Sequence, residues 1–168
     1  MVKQMQYKLT DELNKVNDSS DGLQEIVYEM LNAYCSQLDE YMGAVDDVLR
    51  KKGQPSTSEL EEMILNLNSI LYWAGTGLEL TTIRESVAKM AVDEKFNKVY
   101  NDTSGTIGDK KATAQLESQR ETLAKLCYTN AVKLYQHKID RASEMVSAMK
   151  KILTHRISET QLSGMVIK

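Results

Sequence analysis

Apolar residues recur at intervals of three and four along most of this chain, and the interruptions divide it into helices. A short first helix is predicted over residues 3 to 17, with Met5, Leu9, Leu13 and Val16 on one stripe. The run NDSSDG then supplies turn formers, and Asp21 with Gln24 has the spacing of a capping box, in which each side chain satisfies an orphan backbone donor. A second helix follows to about residue 52, where Leu23, Val27, Met30, Tyr34, Leu38, Tyr41, Val45 and Val48 form one buried face. Gly53 and Pro55 in KKGQPSTSELEE end it.

Ser58 and Glu61 form the second capping box, opening a central helix over residues 58 to 100. Its predicted inner face is Leu60, Ile64, Leu67 and Leu71, then Leu78, Ile83, Val87 and Met90. Gly75 and Gly77 interrupt it at YWAGTG, each costing a helix about 1 kcal/mol relative to Ala, which points to a kink or a closely packed neighbour.

The final helix, from about residue 110 to 157, has the most regular pattern. Tyr128, Val132, Tyr135, Ile139, Ala142, Val146, Met149 and Leu153 are spaced alternately four and three, a heptad seam. Cys127, Ala131, Leu134, Met145 and Ile152 widen the stripe, so more than one neighbour is expected, within the chain or in another copy. Residues 101 to 109 are a hinge and 158 to 168 a loose tail or short docking segment. The predicted fold is all-α: an elongated helical bundle of long antiparallel helices, 1-168 being a single helical domain.

Composition supports this. One Pro and 8 Gly in 168 residues leave few helix breakers. Cys35 and Cys127 stand alone in helical patterns, without the C-x-x-C spacing of a zinc or redox site, and are expected to be small buried hydrophobes. The polar start MVKQMQYKLTDEL and the lack of a spanning apolar run predict a soluble, cytoplasmic protein with no membrane partner. The formal charge of -3 is unevenly spread. Residues 1 to 54 hold 6 basic and 10 acidic groups, residues 55 to 109 hold 4 and 9, and residues 110 to 168 hold 11 and 5. A basic last third on an acidic body fits an anionic partner, or pairing between the two parts or between subunits.

Catalytic patterns are missing. The segment VYNDTSGTIGDKKATAQ resembles a phosphate cradle only loosely: Gly105 and Gly108 are three apart, Asp109 stands where a P-loop has its Lys, and a helix precedes it. A hinge fits better, with Asp109 as N-cap of the last helix and the glycines ending the previous one. His137 and His155 have no carboxylate or thiol at ligand spacing, the acidic pairs at 46 and 47 and at 61 and 62 lie on polar faces, and no Glu-x-x-His pair suggests a di-iron bundle. No catalytic residue, metal or cofactor is predicted.

The candidate binding surface is basic. Lys133, His137 and Arg141 lie at i, i+4 and i+8 on the last helix, and Lys151 and His155 continue nearly the same face. Lys110 and Lys111 flank it, and Lys95 and Lys98 precede the hinge with Phe96 and Tyr100 interleaved. Cations follow a phosphate backbone, and aromatic rings stack on bases. The alternative is that Phe96 and Tyr100 belong to the core while the lysines solubilise helix ends.

Residues 85 to 157, with DEKFNKVYNDTSG, a Gly-containing loop and LCYTNAVKLYQHKIDRASEMVSAMKKI, resemble the UvsY family of phage recombination mediators. By position Lys95 matches the family's basic residue before its loop and Tyr100 its aromatic; Asn97 stands where the family has Arg, with Lys98 beside it. The resemblance implies a helical homo-oligomer with contacts through the last helix. It would bind single-stranded DNA and help a recombinase displace the single-strand-binding protein, in a bacterial host cell if phage-encoded. On this reading Lys95, Lys98, Tyr100, Lys110, Lys111, Lys133, His137, Arg141 and Lys151 meet nucleic acid. The rival expectations are a phage-encoded inhibitor or anti-defence module working through the acidic surface, and a purely structural bundle.

Overall fold

A computed structural model of the chain describes the backbone of residues 2–51 and 55–165 and the side chains of residues 22–33, 35–51 and 55–162. The fold is an all-α helical bundle. Its elements are α1 (Val2–Arg50), α2 (Thr57–Asp102), α3 (Ile107–Glu117) and α4 (Gln119–Met165). Packing divides the chain into two compact units where a single domain was predicted: unit 1 holds 1–32 and 81–132, unit 2 holds 33–80 and 133–168.

Several boundaries move from their predicted places. The NDSSDG turn is absent, because α1 runs through it as one helix. Local turn preference is a weak prior that a long helix overrides when its packing continues. The side chains of Met5, Leu9, Leu13, Val16, Asp21 and Tyr34 lie outside the described residues, as does Gly53. The capping box of α2 forms two residues early: Ser56 N–H donates to Glu59 Oε2 at 2.6 Å, and Glu59 N–H donates to Ser56 Oγ at 3.2 Å. Both Ser-x-x-Glu sets fit the motif, and the one beside Pro55 forms. Hydrogen bonds from the Ser56 amide and hydroxyl hold the Glu59 carboxyl below its usual range.

The hinge is tight. Asp102 ends α2, and Thr103 bonds back to the Val99 carbonyl through its amide at 2.9 Å and its hydroxyl at 2.7 Å. Gly105 has φ +129°, in the region that favours glycine, and a Cβ there would approach Asp109 Oδ2 at 3.3 Å. Thr106, rather than Asp109, is the N-cap: Asp109 N–H donates to Thr106 Oγ1 at 3.3 Å and Thr106 N–H donates back to Asp109 Oδ2 at 3.1 Å. Gly108 lies inside α3 and ends nothing.

The predicted last helix is two. Buried Ser118 separates α3 from α4, its hydroxyl donating to the Ala114 carbonyl at 2.8 Å and to that of Gln115 at 3.3 Å. Such back-bonding competes with the regular ladder and bends helices. At the other end the predicted tail is helical, α4 continuing to Met165.

In unit 2, Cys35, Leu38 and Val45 of α1 bury with Leu60, Ile64, Leu67 and Ala74 of α2 and Tyr135, Ala142, Val146 and Met149 of α4. The predicted heptad is thus an internal seam. Tyr128, Val132, Ile139 and Leu153 are half-buried and the other four members buried within one chain, so the seam meets its own chain's helices rather than waiting for another copy. Lys138 ties α4 to Asp39 of α1, and the Arg156 guanidinium donates to the Pro55 carbonyl. Gly75 has open space where a Cβ would stand, so close packing does not explain it, and α2 passes it unbroken.

In unit 1 the core contains Val27, Leu31, Ala88, Ala114, Cys127 and Ala131. Here α2 departs from its predicted face. Thr81, Glu85 and Ala88 are inside, while Ile83, Val87 and Met90 are exposed. The buried line keeps strict alternation of four and three through Leu60, Ile64, Leu67, Leu71, Ala74, Leu78, Thr81, Glu85, Ala88, Val92, Lys95 and Val99, all buried or half-buried. The predicted face jumped five residues from Leu78 to Ile83, following apolar character; the helix keeps its phase instead.

Candidate nucleic-acid interface

The last turns of α2 carry Phe96 and Tyr100 on one side and Lys95 and Lys98, three apart, on nearly the opposite side. Phe96 and Tyr100, four apart, stack with ring centroids 6.2 Å apart and planes 14° from parallel. The capping box starts α3 so that Lys110 lies over the Tyr100 ring, 5.8 Å from its centroid. A cation held there is attracted by the ring's quadrupole. Both rings are half-buried, which places them between the two predicted alternatives, core and free stacking platform. Lys98 and Lys111 are exposed, Lys95 and Lys110 half-buried. Asp109 offsets part of this charge, its carboxyl held below the usual range by hydrogen bonds from the Thr106 hydroxyl and amide.

The other predicted residues lie in unit 2. Lys133, His137, Arg141, Lys151 and His155 are exposed on α4; Lys133 and Lys151 are 18 residues apart, about five full turns, and so are His137 and His155. The ridge is less basic than its cations alone suggest. Asp140 and Glu144 are exposed beside Arg141, and Gln136 donates to Asp140 at 2.8 Å. His155 faces Glu159 at 3.5 Å. Tyr100 and Lys110 thus share a cluster in unit 1, and the α4 cations form a second, mixed-charge set in unit 2.

Sequence reasoning missed Glu85. Its Oε1 accepts from the Thr129 hydroxyl at 2.8 Å and from Lys89 Nζ at 2.8 Å, which satisfies a carboxylate on the inner face of α2. The signal that could have found it is the unbroken heptad phase. Both cysteines are buried, as predicted, and burial pushes the Cys35 thiol up to about 11 and raises that of Cys127. Among the described residues no group of three His, Cys, Asp or Glu side chains could hold a metal ion, and no helix is long and apolar enough to cross a membrane.

Comparison with family models, with curated proteins and with solved structures found no match for the chain.

Proposed function

We propose that the protein binds single-stranded DNA without sequence preference and acts as a recombination mediator, assisting a recombinase against the single-strand-binding protein as a homo-oligomer. One observation carries the reading: the stacked Phe96–Tyr100 pair under Lys110, with Lys95 and Lys98 on the same turns of α2. A strand passing this end of α2 meets the ring pair for a base and Lys110 for a phosphate, with Lys95 and Lys98 farther round the helix for the phosphates that follow. The base stacks as Lys110 moves off the ring toward the phosphate. No bond is made or broken. Lys133, His137, Arg141 and Lys151 add weaker contacts, because Asp140 and Glu144 stand among them, and copies held together multiply such contacts through effective concentration.

Fluorescence anisotropy with a labelled single-stranded oligonucleotide across a salt series tests this. Binding is expected to weaken steeply with salt through counterion release, with a log–log slope that flattens by ~1 to 2 when Lys95 and Lys98 become Glu. Tyr100→Ala is expected to lower affinity about tenfold with the slope unchanged, the loss of one stacking contact. No binding at low salt would discard the proposal and direct attention to a basic protein partner for the acidic surface.

A further inference from the structure

Ile83, Val87 and Met90, displaced from the predicted core of α2, belong to a second seam. Trp73, Thr76, Leu80, Ile83, Val87 and Met90 are spaced three, four, three, four, three, the interval of a coiled-coil interface, and all six are exposed. Their exposures are 68% for Trp73, 47% for Leu80, 58% for Ile83, 59% for Val87 and 69% for Met90. The inner line on the same turns is Ala74, Leu78, Thr81, Glu85 and Ala88, so counted at 3.6 residues per turn the two seams occupy nearly opposite sides of one continuous helix. Scattered exposed apolar residues need no explanation, but five on one line over about five turns do.

We infer that this outward face of α2 pairs with the same face of a second copy of the chain, the two helices running parallel and in register. Charge carries the choice of occupant and direction. With Leu80 and Val87 at a positions and Ile83 and Met90 at d, exposed Glu79 falls at g and exposed Arg84 at the following e. In a parallel pair, g of one helix meets the next e of its partner, five residues on, so Glu79 of each copy faces Arg84 of the other twice over. In an antiparallel pair g meets g and e meets e, which sets Glu79 near Ser86 and Arg84 near Gly77 with no ion pair. The seam also has holes beside its knobs: in unit 2, Trp73, Thr76 and Leu80 edge a groove floored by Leu38, Ala74 and Tyr135. This inference gives the proposed homo-oligomer an interface, and it rests on α2 alone, independent of DNA binding.

Light-scattering mass of the intact chain, without DNA, is the test. The expected mass is twice 19.0 kDa, or a higher multiple if more copies join the same seam, and a 19.0 kDa species at tens of micromolar overturns the inference. Ile83→Asp with Val87→Asp is expected to give a monomer with unchanged helical circular dichroism; retention of the oligomer overturns it. Register is read separately by Val87→Cys, which places one thiol opposite its copy only in a parallel, in-register pair. Mild oxidation is expected to cross-link this variant and not the natural chain, whose two cysteines are buried; failure to cross-link overturns the pairing even if the Asp variants do not fold. Arg84→Glu is expected to lose the oligomer and Glu79→Arg with Arg84→Glu to restore it. A DNA-binding failure in a protein that still pairs would count against the proposed function alone.

Discussion

Helices α2 and α4 are almost equal in length, 46 and 47 residues, and both bury a line of residues spaced alternately four and three, yet they fill it differently. On α4 the line is apolar from Tyr128 to Leu153, so spacing and character agree. On α2 they agree from Leu60 to Leu78; on the next turns the inner line is Thr81, Glu85 and Ala88, and Ile83, Val87 and Met90 stand outside. A long helix cannot shift its phase by one residue without a bulge or break, so the geometry set by Leu60, Ile64 and Leu67 dictates what is inside twenty residues later. Polar groups placed inside must then be satisfied, as Glu85 is by Thr129 and Lys89.

The sharpest way to break the comparison is to truncate one residue of the buried α4 line and one of the apolar residues that α2 leaves outside. Tyr135→Ala, in the α4 seam, is expected to cost about 3 to 5 kcal/mol in urea unfolding, as for other large buried aromatics. Val87→Ala is expected to change the stability of the dissociated chain by less than about 0.5 kcal/mol, since its side chain is exposed there. Equal losses would mean that the outward seam is part of the core.

A smaller effect separates the polar inner line from an apolar one. Glu85→Ala strands the Thr129 hydroxyl and is expected to cost about 1 to 3 kcal/mol. Glu85→Leu with Thr129→Val removes both partners and is expected to recover most of that loss, measured as a double-mutant cycle. If the double variant is no better than the single, the pair is not held by its mutual hydrogen bond.

The hinge between these helices should give the smallest changes. Thr106→Ala removes the N-cap of α3 and is expected to cost about 1 kcal/mol, seen as faster amide exchange in residues 107–110. Its pH dependence has a definite sign. The Asp109 carboxyl is depressed in the folded chain, so its contribution is complete above the unfolded value of about 3.9 and disappears as pH falls through the lower folded value. Exchange in the first turn of α3 should therefore rise on acidification below about pH 4 in the natural chain and change less in Thr106→Ala.

These contrasts show where the sequence was legible. The all-α class, the α4 seam and the two buried cysteines were readable because spacing and hydrophobicity pointed the same way. The Ile83, Val87 and Met90 face was misplaced because hydrophobicity alone marks a residue as seeking cover, without saying from which chain. Ser118 was invisible because a lone serine is ordinary in a helix until its hydroxyl is buried against the preceding turn. Among the candidate DNA contacts, the i, i+4 pairing of Phe96 and Tyr100 followed from helical spacing, whereas Lys110 over Tyr100 depends on the path of the hinge, which no periodicity encodes.

The burial of Cys35 has a consequence for the protein's chemistry in an oxidising or electrophilic environment. With its thiol pushed up to about 11, roughly one molecule in ten thousand carries the reactive thiolate at pH 7. Cys127 shifts in the same direction for the same reason. The chain's two thiols therefore offer almost no thiolate to peroxide, alkylating agents or another protein's disulfide. Its thiols would become reactive chiefly on unfolding, making their modification a reporter of lost structure.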